Sequence, residues 1–321
     1  MQLIVNMDNP IKLFSGTSHP ALAAEISEHL GVKVSEMKIS RFACGEIYAK
    51  SVNSVRGADV YIIQTATQNV NEDYMELFIM IDALKRSFAK SIHVVIPHFG
   101  YARQDRVASP REPITAKLIA DLIQASGADH VIGMKFHSEQ IQGFFDFPVD
   151  NLNPDKIFCD YFKKKNLKDL VVVSADAGGA KDAKKFADKL GANLAIIHKN
   201  RPNHNIAEVM HVVGNVKNKT CLIYDDMIDT AGSVFGAKQA LERNEANPDI
   251  YLAATHAIFS GSAIQRLKEA NFKEVVITNT IPVDKNAFPG LKILSVAPLM
   301  ANIIRNVHEG KSITGVIQGE F

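Results

Sequence analysis

The stretch "CLIYDDMIDTAGS", residues 221–233, sets an apolar run against three aspartates and a cluster of small residues. Cys221, Leu222, Ile223 and Tyr224 read as a short strand buried in a parallel sheet. From Ser233 the spacing changes: Val234, Ala237 and Leu241 stand at i, i+3 and i+7, the stripe of an amphipathic helix. Thr230, Ala231, Gly232 and Ser233 then lie between strand and helix. They let the backbone approach a ligand closely, and their N–H groups at a helix N-terminus suit a phosphate. Asp225, Asp226 and Asp229 would repel that phosphate, so they are expected to face something else. Sugar hydroxyls and a bound Mg²⁺ both want carboxylate oxygens. The combination reads as a ribose-phosphate site; a polar turn capped by aspartates is the bland alternative.

Five other segments carry polar side chains where strands are expected to end or loops to leave them. In "GYARQDR", residues 100–106, Arg103 suits bidentate phosphate contact and Gln104 a hydrogen bond to a nucleotide or phosphate, against a solvated loop as the alternative. In "RFACGEI", residues 41–47, Phe42 offers a ring to stack on a base and Glu46 an acceptor for an amino group. "MKFHSEQ" places His137 at a strand end, where a lone histidine is either structural or a ligand. In "SADAGGAK", Asp176 ends a strand ahead of Gly178 and Gly179, as a cation contact or a helix cap. Lys199 and Arg201 in "HKNRPNHN" alternate, so an extended loop would point both the same way.

The elements that must position these residues follow a regular rhythm. Apolar strand-like runs such as "DVYIIQT", "HVVIPHFG" and "HVIGMKFH" alternate with helical patterns such as "EDYMELFIMIDALKRS" and "ITAKLIADLIQAS". The alternation resumes through "LVVVSAD", "NLAIIHKN", "KTCLIYDD", "IYLAATHAIF" and "KEVVITNT". That order predicts parallel sheets covered by helices on both faces. Pro148 and Pro154 break the pattern, so a domain boundary is expected near residue 150, between two halves of similar rhythm. A length of 321 residues is consistent with two domains. With 46% hydrophobic and 22% charged residues the chain has the composition of a globular protein with a sizeable core.

Composition also excludes several classes. A net charge of +1, with basic residues dispersed, announces no nucleic-acid surface. Cys44, Cys159 and Cys221 stand too far apart for a disulfide framework or a thiolate zinc site. Eleven histidines include no HExxH spacing, and no full GxGxxG fingerprint marks a nicotinamide site. Neither a secretory signal nor a bilayer-length apolar run is visible, so a cytoplasmic protein is expected.

"DDMIDTAGS" resembles the ribose-phosphate loop of type I phosphoribosyltransferases and, still more, that of ribose-phosphate diphosphokinases. The resemblance extends over nearly the whole chain through "FSGTSHP", "VNEDYMELFIMIDALKR", "GYARQDR", "REPITAKLIADL", "QIQGFFDFPVDNL" and "ITNTIP". It implies an α/β fold of two similar doubly wound parallel-sheet domains of phosphoribosyltransferase-like type, spanning 1–150 and 151–305, with the tail 306–321 packing on the first. It implies transfer of the β,γ-diphosphate of ATP to the C1 hydroxyl of ribose 5-phosphate. Phe42, Cys44, Glu46, Arg103, Gln104 and His137 would then bind ATP, with the 41–47 loop reaching a neighbouring subunit. Asp225, Asp226, Asp229, Thr230, Ala231, Gly232 and Ser233 would hold ribose 5-phosphate, Mg²⁺ would sit near His137 and Asp176, and Lys199 and Arg201 would be catalytic on a mobile loop. Homo-oligomers, usually hexamers built from dimers, belong to the same implication.

The sequence departs from the family pattern where Cys44 replaces Asp or Asn, where Lys135 replaces the acid of an Asp-Leu-His run, and where Ala175 replaces Pro. Cys44 and Lys135 leave open a nucleotide-binding regulatory homologue with little turnover, and the loop leaves open a larger 5-substituted ribose such as ADP-ribose as acceptor. A phosphoribosyltransferase that consumes the diphosphate would leave the 41–47 and 100–106 segments unexplained.

Overall fold

The computed structural model describes residues 10–200 and 209–318. The chain divides into two compact units, one comprising the described residues up to Asn153 together with those from Ala297 onward, the other Pro154–Val296.

In the first unit the order is β1 (Ile11–Ser15), α1 (Pro20–Leu30), a hairpin of β2 (Met37–Arg41) and β3 (Ile47–Ser51), β4 (Asp59–Ile63), α2 (Val70–Arg86), β5 (Ser91–Ile96), α3 (Thr115–Ser126), β6 (His130–Met134) and β7 (Val149–Leu152). The sheet runs β1-β4-β5-β6-β7 with every pair parallel. Its spatial order is thus its chain order. One face, with Phe14, Val60, Ile62, Val94, Ile96 and Val131, packs on α2 and α3. Strand alternation puts Leu13, Tyr61, Ile63, Val95 and Ile132, all buried, on the other face.

The second unit contains α4 (Asp155–Lys163), β8 (Leu170–Ser174), α5 (Ala180–Leu190), β9 (Asn193–Asn200), β10 (Val209–Val213), β11 (Thr220–Ile228), α6 (Gly232–Arg243), β12 (Tyr251–Ala257), α7 (Ala263–Ala270), β13 (Glu274–Thr278) and β14 (Leu291–Leu294). Its sheet is ordered β10-β9-β8-β11-β12-β13-β14, parallel except for the β9–β10 pair. From β8 the chain first builds outward to β9 and β10, then returns to the other side of β8 and builds the opposite way. The strand order reverses between β8 and β11. Both faces are dry: Val171, Val173, Cys221 and Ile223 pack with α6 residues Val234, Ala237 and Leu241. Val172, Leu222 and Tyr224 pack with Phe158, Phe162 and Phe186 of α4 and α5. That two-sided burial is why "CLIY" is apolar without alternation.

After the second unit, α8 (Ala297–His308) and α9 (Thr314–Gln318) rejoin the first. The return falls at Ala297, ahead of residue 306, because α8 is one unbroken helix that buries Leu299, Met300, Ile303 and Ile304. α8 packs along α1, and Arg305 donates to the His29 carbonyl at 2.8 Å.

A chain of buried polar groups crosses the first sheet near the N-terminal ends of its strands. His93 stacks on Tyr61 with ring centroids 4.4 Å apart. Its Nδ1 lies 3.1 Å from Nδ1 of His130, whose Nε2 lies 3.0 Å from Asp150. Ser91 Oγ joins the other His93 nitrogen to Asp59, and His308 of α8 lies 3.1 Å from Asp59. Burial first, then the positive charge His130 can carry, pushes His93 down to about 4 from 6.5. Between those values the unfolded chain binds the proton and the folded chain does not, so His93 favours folding above pH 6.5 and loses that contribution as pH falls towards 4. Urea midpoints measured between pH 7 and pH 4 are expected to fall through that window, and His93→Asn to flatten the slope whatever its effect at pH 7.

Candidate active site

In an open α/β sheet the helices that follow the two strands at a reversal diverge to opposite faces, leaving a crevice at the strands' carboxyl ends. Here those strands are β8 and β11. Asp176 follows β8; Asp225 and Asp226 lie towards the carboxyl end of β11, and the 229–233 turn follows. β11 runs to Ile228, four residues past the strand read from the sequence, so both aspartates sit in the strand. Residue alternation then sends them to different rows: Asp225 continues Cys221 and Ile223, and Asp226 continues Leu222 and Tyr224.

The turn is built from a left-handed residue. Ala231 has φ 60 and ψ 8 and serves as the N-cap of α6. The first intrahelical bond is from the Phe235 N–H to the Ala231 carbonyl at 3.0 Å, so the N–H groups of Gly232, Ser233 and Val234 precede the helical ladder. Backbone donors around an αL residue at a helix N-terminus form an anion-binding concavity. Asp229 is turned away from it: Ser260 Oγ donates to its carboxylate, and the Ser260 N–H donates to its carbonyl at 3.1 Å. Asp176 accepts from the Gly179 N–H at 3.0 Å, so it does cap the turn into α5, while remaining exposed at the crevice.

The first unit has its own cleft, of 570 Å³, bounded by Arg103, Gln104, Arg106, Glu112, His137 and Ser138 among others. It lies beyond the carboxyl ends of β5 and β6 and joins two segments singled out separately by the sequence. Gln104 is held by its backbone, which accepts from the Ala116 N–H of α3 at 3.1 Å, and by Thr115, whose hydroxyl donates to its side chain. Tyr101 turns the chain with φ 63. Lys135 also has positive φ, 44, and is buried, its N–H bonded to the Leu152 carbonyl at 2.9 Å. It is not part of the cleft lining.

Phe42, Cys44 and Glu46 occupy the exposed tip of the β2–β3 hairpin, with Phe42 56% exposed and in edge contact with Tyr48. The hairpin is closed by paired bonds, Phe42 N–H to Glu46 carbonyl and Gly45 N–H to Phe42 carbonyl, both 2.9 Å, and braced by an Arg41–Glu72 ion pair at 2.6 Å. These three residues do not line the Arg103–His137 cleft. Lys199 stands in β9, paired with Met210 of β10, where the sequence reading has a polar loop. Its side chain and Arg201 lie outside the described residues.

Four side chains at these sites escape the sequence reading. Arg106 and Glu112 join Arg103 in the cleft, and their only signal was density of charge in a polar loop. Arg266, on α7, donates to the Thr230 carbonyl at 2.9 Å across 36 residues of sequence. Ser260 holds Asp229 from the end of β12. The signal for the last two is topological, since β12 is the neighbour of β11 and its following loop must meet the 229–233 turn.

The carboxylates of the crevice repel one another. Burial, then Asp226, then Asp176, pushes Asp225 well above the usual carboxylate range, against the opposing bond from the Asp226 N–H to Asp225 Oδ1 at 2.9 Å. The folded chain therefore holds that proton more tightly than the unfolded one, and Asp225 lowers stability increasingly as pH rises above its unfolded value of 3.8. Among the described residues no group of three or more His, Cys, Asp and Glu encloses a metal by itself. Mg²⁺, however, keeps several waters and uses one or two carboxylates with substrate oxygens, and a repelling carboxylate pair fits that demand. Asp225→Asn is expected to raise the thermal midpoint at pH 8 in metal-free buffer, with the gain shrinking towards pH 4. Differential scanning calorimetry at the two pH values measures it.

Comparison with known proteins covers nearly the whole chain. A family model described as the N-terminal domain of ribose phosphate pyrophosphokinase matches residues 11–127. One described as the phosphoribosyl synthetase-associated domain matches residues 205–318. A ribose-phosphate pyrophosphokinase of Caldanaerobacter subterraneus subsp. tengcongensis is 51% identical over 95% of this chain and 97% of its own. That of Bacillus subtilis is 48% identical over 96% and 97%. The crystal structure of phosphoribosylpyrophosphate synthetase from Mycobacterium smegmatis superposes with a TM-score of 0.89 at 44% identity, covering 94% of this chain and 99% of that one. Sequence relatives, matching domain models and the shared fold place the chain: it belongs to the ribose-phosphate pyrophosphokinase family.

Proposed function

We propose that this chain transfers the diphosphate group of ATP to the C1 hydroxyl of ribose 5-phosphate, giving 5-phosphoribosyl 1-diphosphate and AMP. The observation that carries the reading is the β8–β11 crevice, where an αL turn at a helix N-terminus stands beside a carboxylate pair. The turn offers N–H donors to the 5-phosphate, and Asp225 and Asp226 offer acceptors to the ribose hydroxyls. One end of the substrate needs donors and the other acceptors; the strand–turn–helix sequence supplies both in order.

The reaction forms a bond from the C1 oxygen to the β-phosphorus and breaks the bond from that phosphorus to the α,β-bridging oxygen, whose electron pair leaves with AMP. Phosphoryl chemistry of this kind rests on positioning and on neutralising charge. Arg103 binds ATP phosphate bidentately and Gln104 hydrogen-bonds the nucleotide in the first unit's cleft. His137 adds a donor there, a role that suits an imidazole better than ligation of a hard cation. Bound Mg²⁺ would supply charge neutralisation on the diphosphate, with Asp176 and the Asp225–Asp226 pair as its carboxylate oxygens. Lys199 and Arg201 complete the charge stabilisation during transfer.

The exposed Phe42–Glu46 tip supports the reading that it stacks on and hydrogen-bonds adenine in the cleft of a second copy, in homo-oligomers such as hexamers of dimers. Cys44 stands in that tip as a weak partner beside them. Lys135 is buried rather than in the cleft lining, which favours turnover over a silent regulatory homologue. The family reading makes the chain a cytoplasmic enzyme of small-molecule substrates; no helix among the described residues is long and apolar enough to cross a membrane.

AMP release from ATP and Mg²⁺, with and without ribose 5-phosphate, tests the proposal. Sugar-dependent AMP is expected, with Asp225→Ala reducing it by about 100-fold or more, the scale of losing a group that orients the nucleophile. Chelation of Mg²⁺ is expected to stop it. AMP formation indifferent to the sugar would sink the assignment.

A further inference from the structure

The 229–233 turn does not hold its shape unaided. Ala231 lies in the left-handed region, which a residue with a Cβ occupies only under outside restraint. Two restraints come from the chain after β12, one from the loop that follows the strand and one from α7. Ser260 binds Asp229 through both its N–H and its hydroxyl. Arg266 Nη1 donates to the Thr230 carbonyl at 2.9 Å.

The Arg266 bond fixes more than a carbonyl. No peptide of the described chain is cis, so the C=O and N–H of the Thr230–Ala231 peptide point in opposite directions within one plane. With the carbonyl drawn towards α7, the Ala231 N–H is turned away from it. A reversed peptide would place a carbonyl oxygen where the anion needs a donor.

The guanidinium also sits where the free protein gains least from it. A Cβ built on Gly232 would lie 3.6 Å from Arg266 Nη1, so the cation stands beside the N-terminus of α6, the positive end of that helix. Cation and dipole repel each other until an anion binds between or beside them. Placement against the dipole is unhelpful for folding and useful for holding a phosphate.

We propose that Arg266 is a positioning residue for the 5-phosphate: it orients the Thr230–Ala231 peptide so that the Ala231 N–H joins the anion-binding turn, and its charge favours the phosphate-bound state. This inference rests on the reading of the turn as the ribose 5-phosphate site. Arg266→Met keeps the stem and removes the donor and the charge; Arg266→Lys keeps the charge and one donor direction.

Steady-state kinetics with each substrate varied separately, alongside thermal midpoints, decide the matter. Arg266→Met is expected to raise KM for ribose 5-phosphate on the order of 10- to 100-fold, the scale of a hydrogen bond from a charged donor. KM for ATP and the thermal midpoint should stay close to those of the unaltered chain, and Arg266→Lys should fall between the two. An unchanged KM for the sugar phosphate, or a parallel rise in both KM values with a lowered midpoint, would overturn the inference while leaving the proposed reaction intact. Absence of sugar-dependent AMP from the unaltered chain would remove the proposed reaction, and the inference with it.

Discussion

The parallel pairing of β8 with β11 is the interaction on which the second unit's site depends. Register aligns Val171–Ser174 with Cys221–Tyr224 residue by residue, and both faces of those strands are covered by apolar side chains. That burial pins the strands firmly enough for their carboxyl ends to carry what would otherwise spring apart. Burial and the neighbouring Asp226 and Asp176 disfavour the charged form of Asp225, and a left-handed Ala231 adds backbone strain. Core packing offsets both. Strain and like charge are thereby concentrated at the strand ends and are carried by the packing beneath them.

The two units use the same elements differently. The second sheet reverses its strand order and so opens a crevice between diverging helices. The first runs in chain order, and its polar residues gather instead in long loops beyond β5 and β6, around a cleft of 570 Å³. The contrast follows from connectivity. Right-handed crossovers that advance in one direction keep placing their helices on one face, and here the returning α8 supplies apolar surface after the second unit is complete. A histidine chain then links α8 to the sheet through Asp59, in a region remote in the strand direction from the cleft.

Departures from the family pattern acquire different weights once placed. Lys135 brings a positive charge into the run that ends at His137, yet it is buried at the left-handed residue just after β6. Its effect on the cleft is one of backbone course, since the neighbouring Phe136 N–H is anchored to Asn151 at 3.0 Å. Cys44 lies at an exposed hairpin tip, where a thiol changes little within the chain itself. Ala175 is buried at the end of β8, where the backbone leads into the Asp176 turn.

Strand and helix types, the apolar stripe Val234–Ala237–Leu241, and the small-residue turn at 230–233 were legible from spacing, because periodicity records which face is buried. The placement of that turn at a helix start was legible too, since small residues stand there between an apolar strand and an amphipathic stripe. Three things were not. The strand's extension through Asp225 and Asp226 needs β12 beside it, whose residues Ala254 and His256 align with Asp225 and Met227. Propensity would seek a left-handed residue at Gly232; Ala231 takes the conformation because Ser260 and Arg266 hold the peptides on either side. The joining of Arg103 with His137, and of Thr230 with Arg266, also came only with the fold. Local spacing fixes what each segment prefers, whereas these contacts belong to sheet order and to loops meeting at the strand ends, and no window of sequence contains both partners.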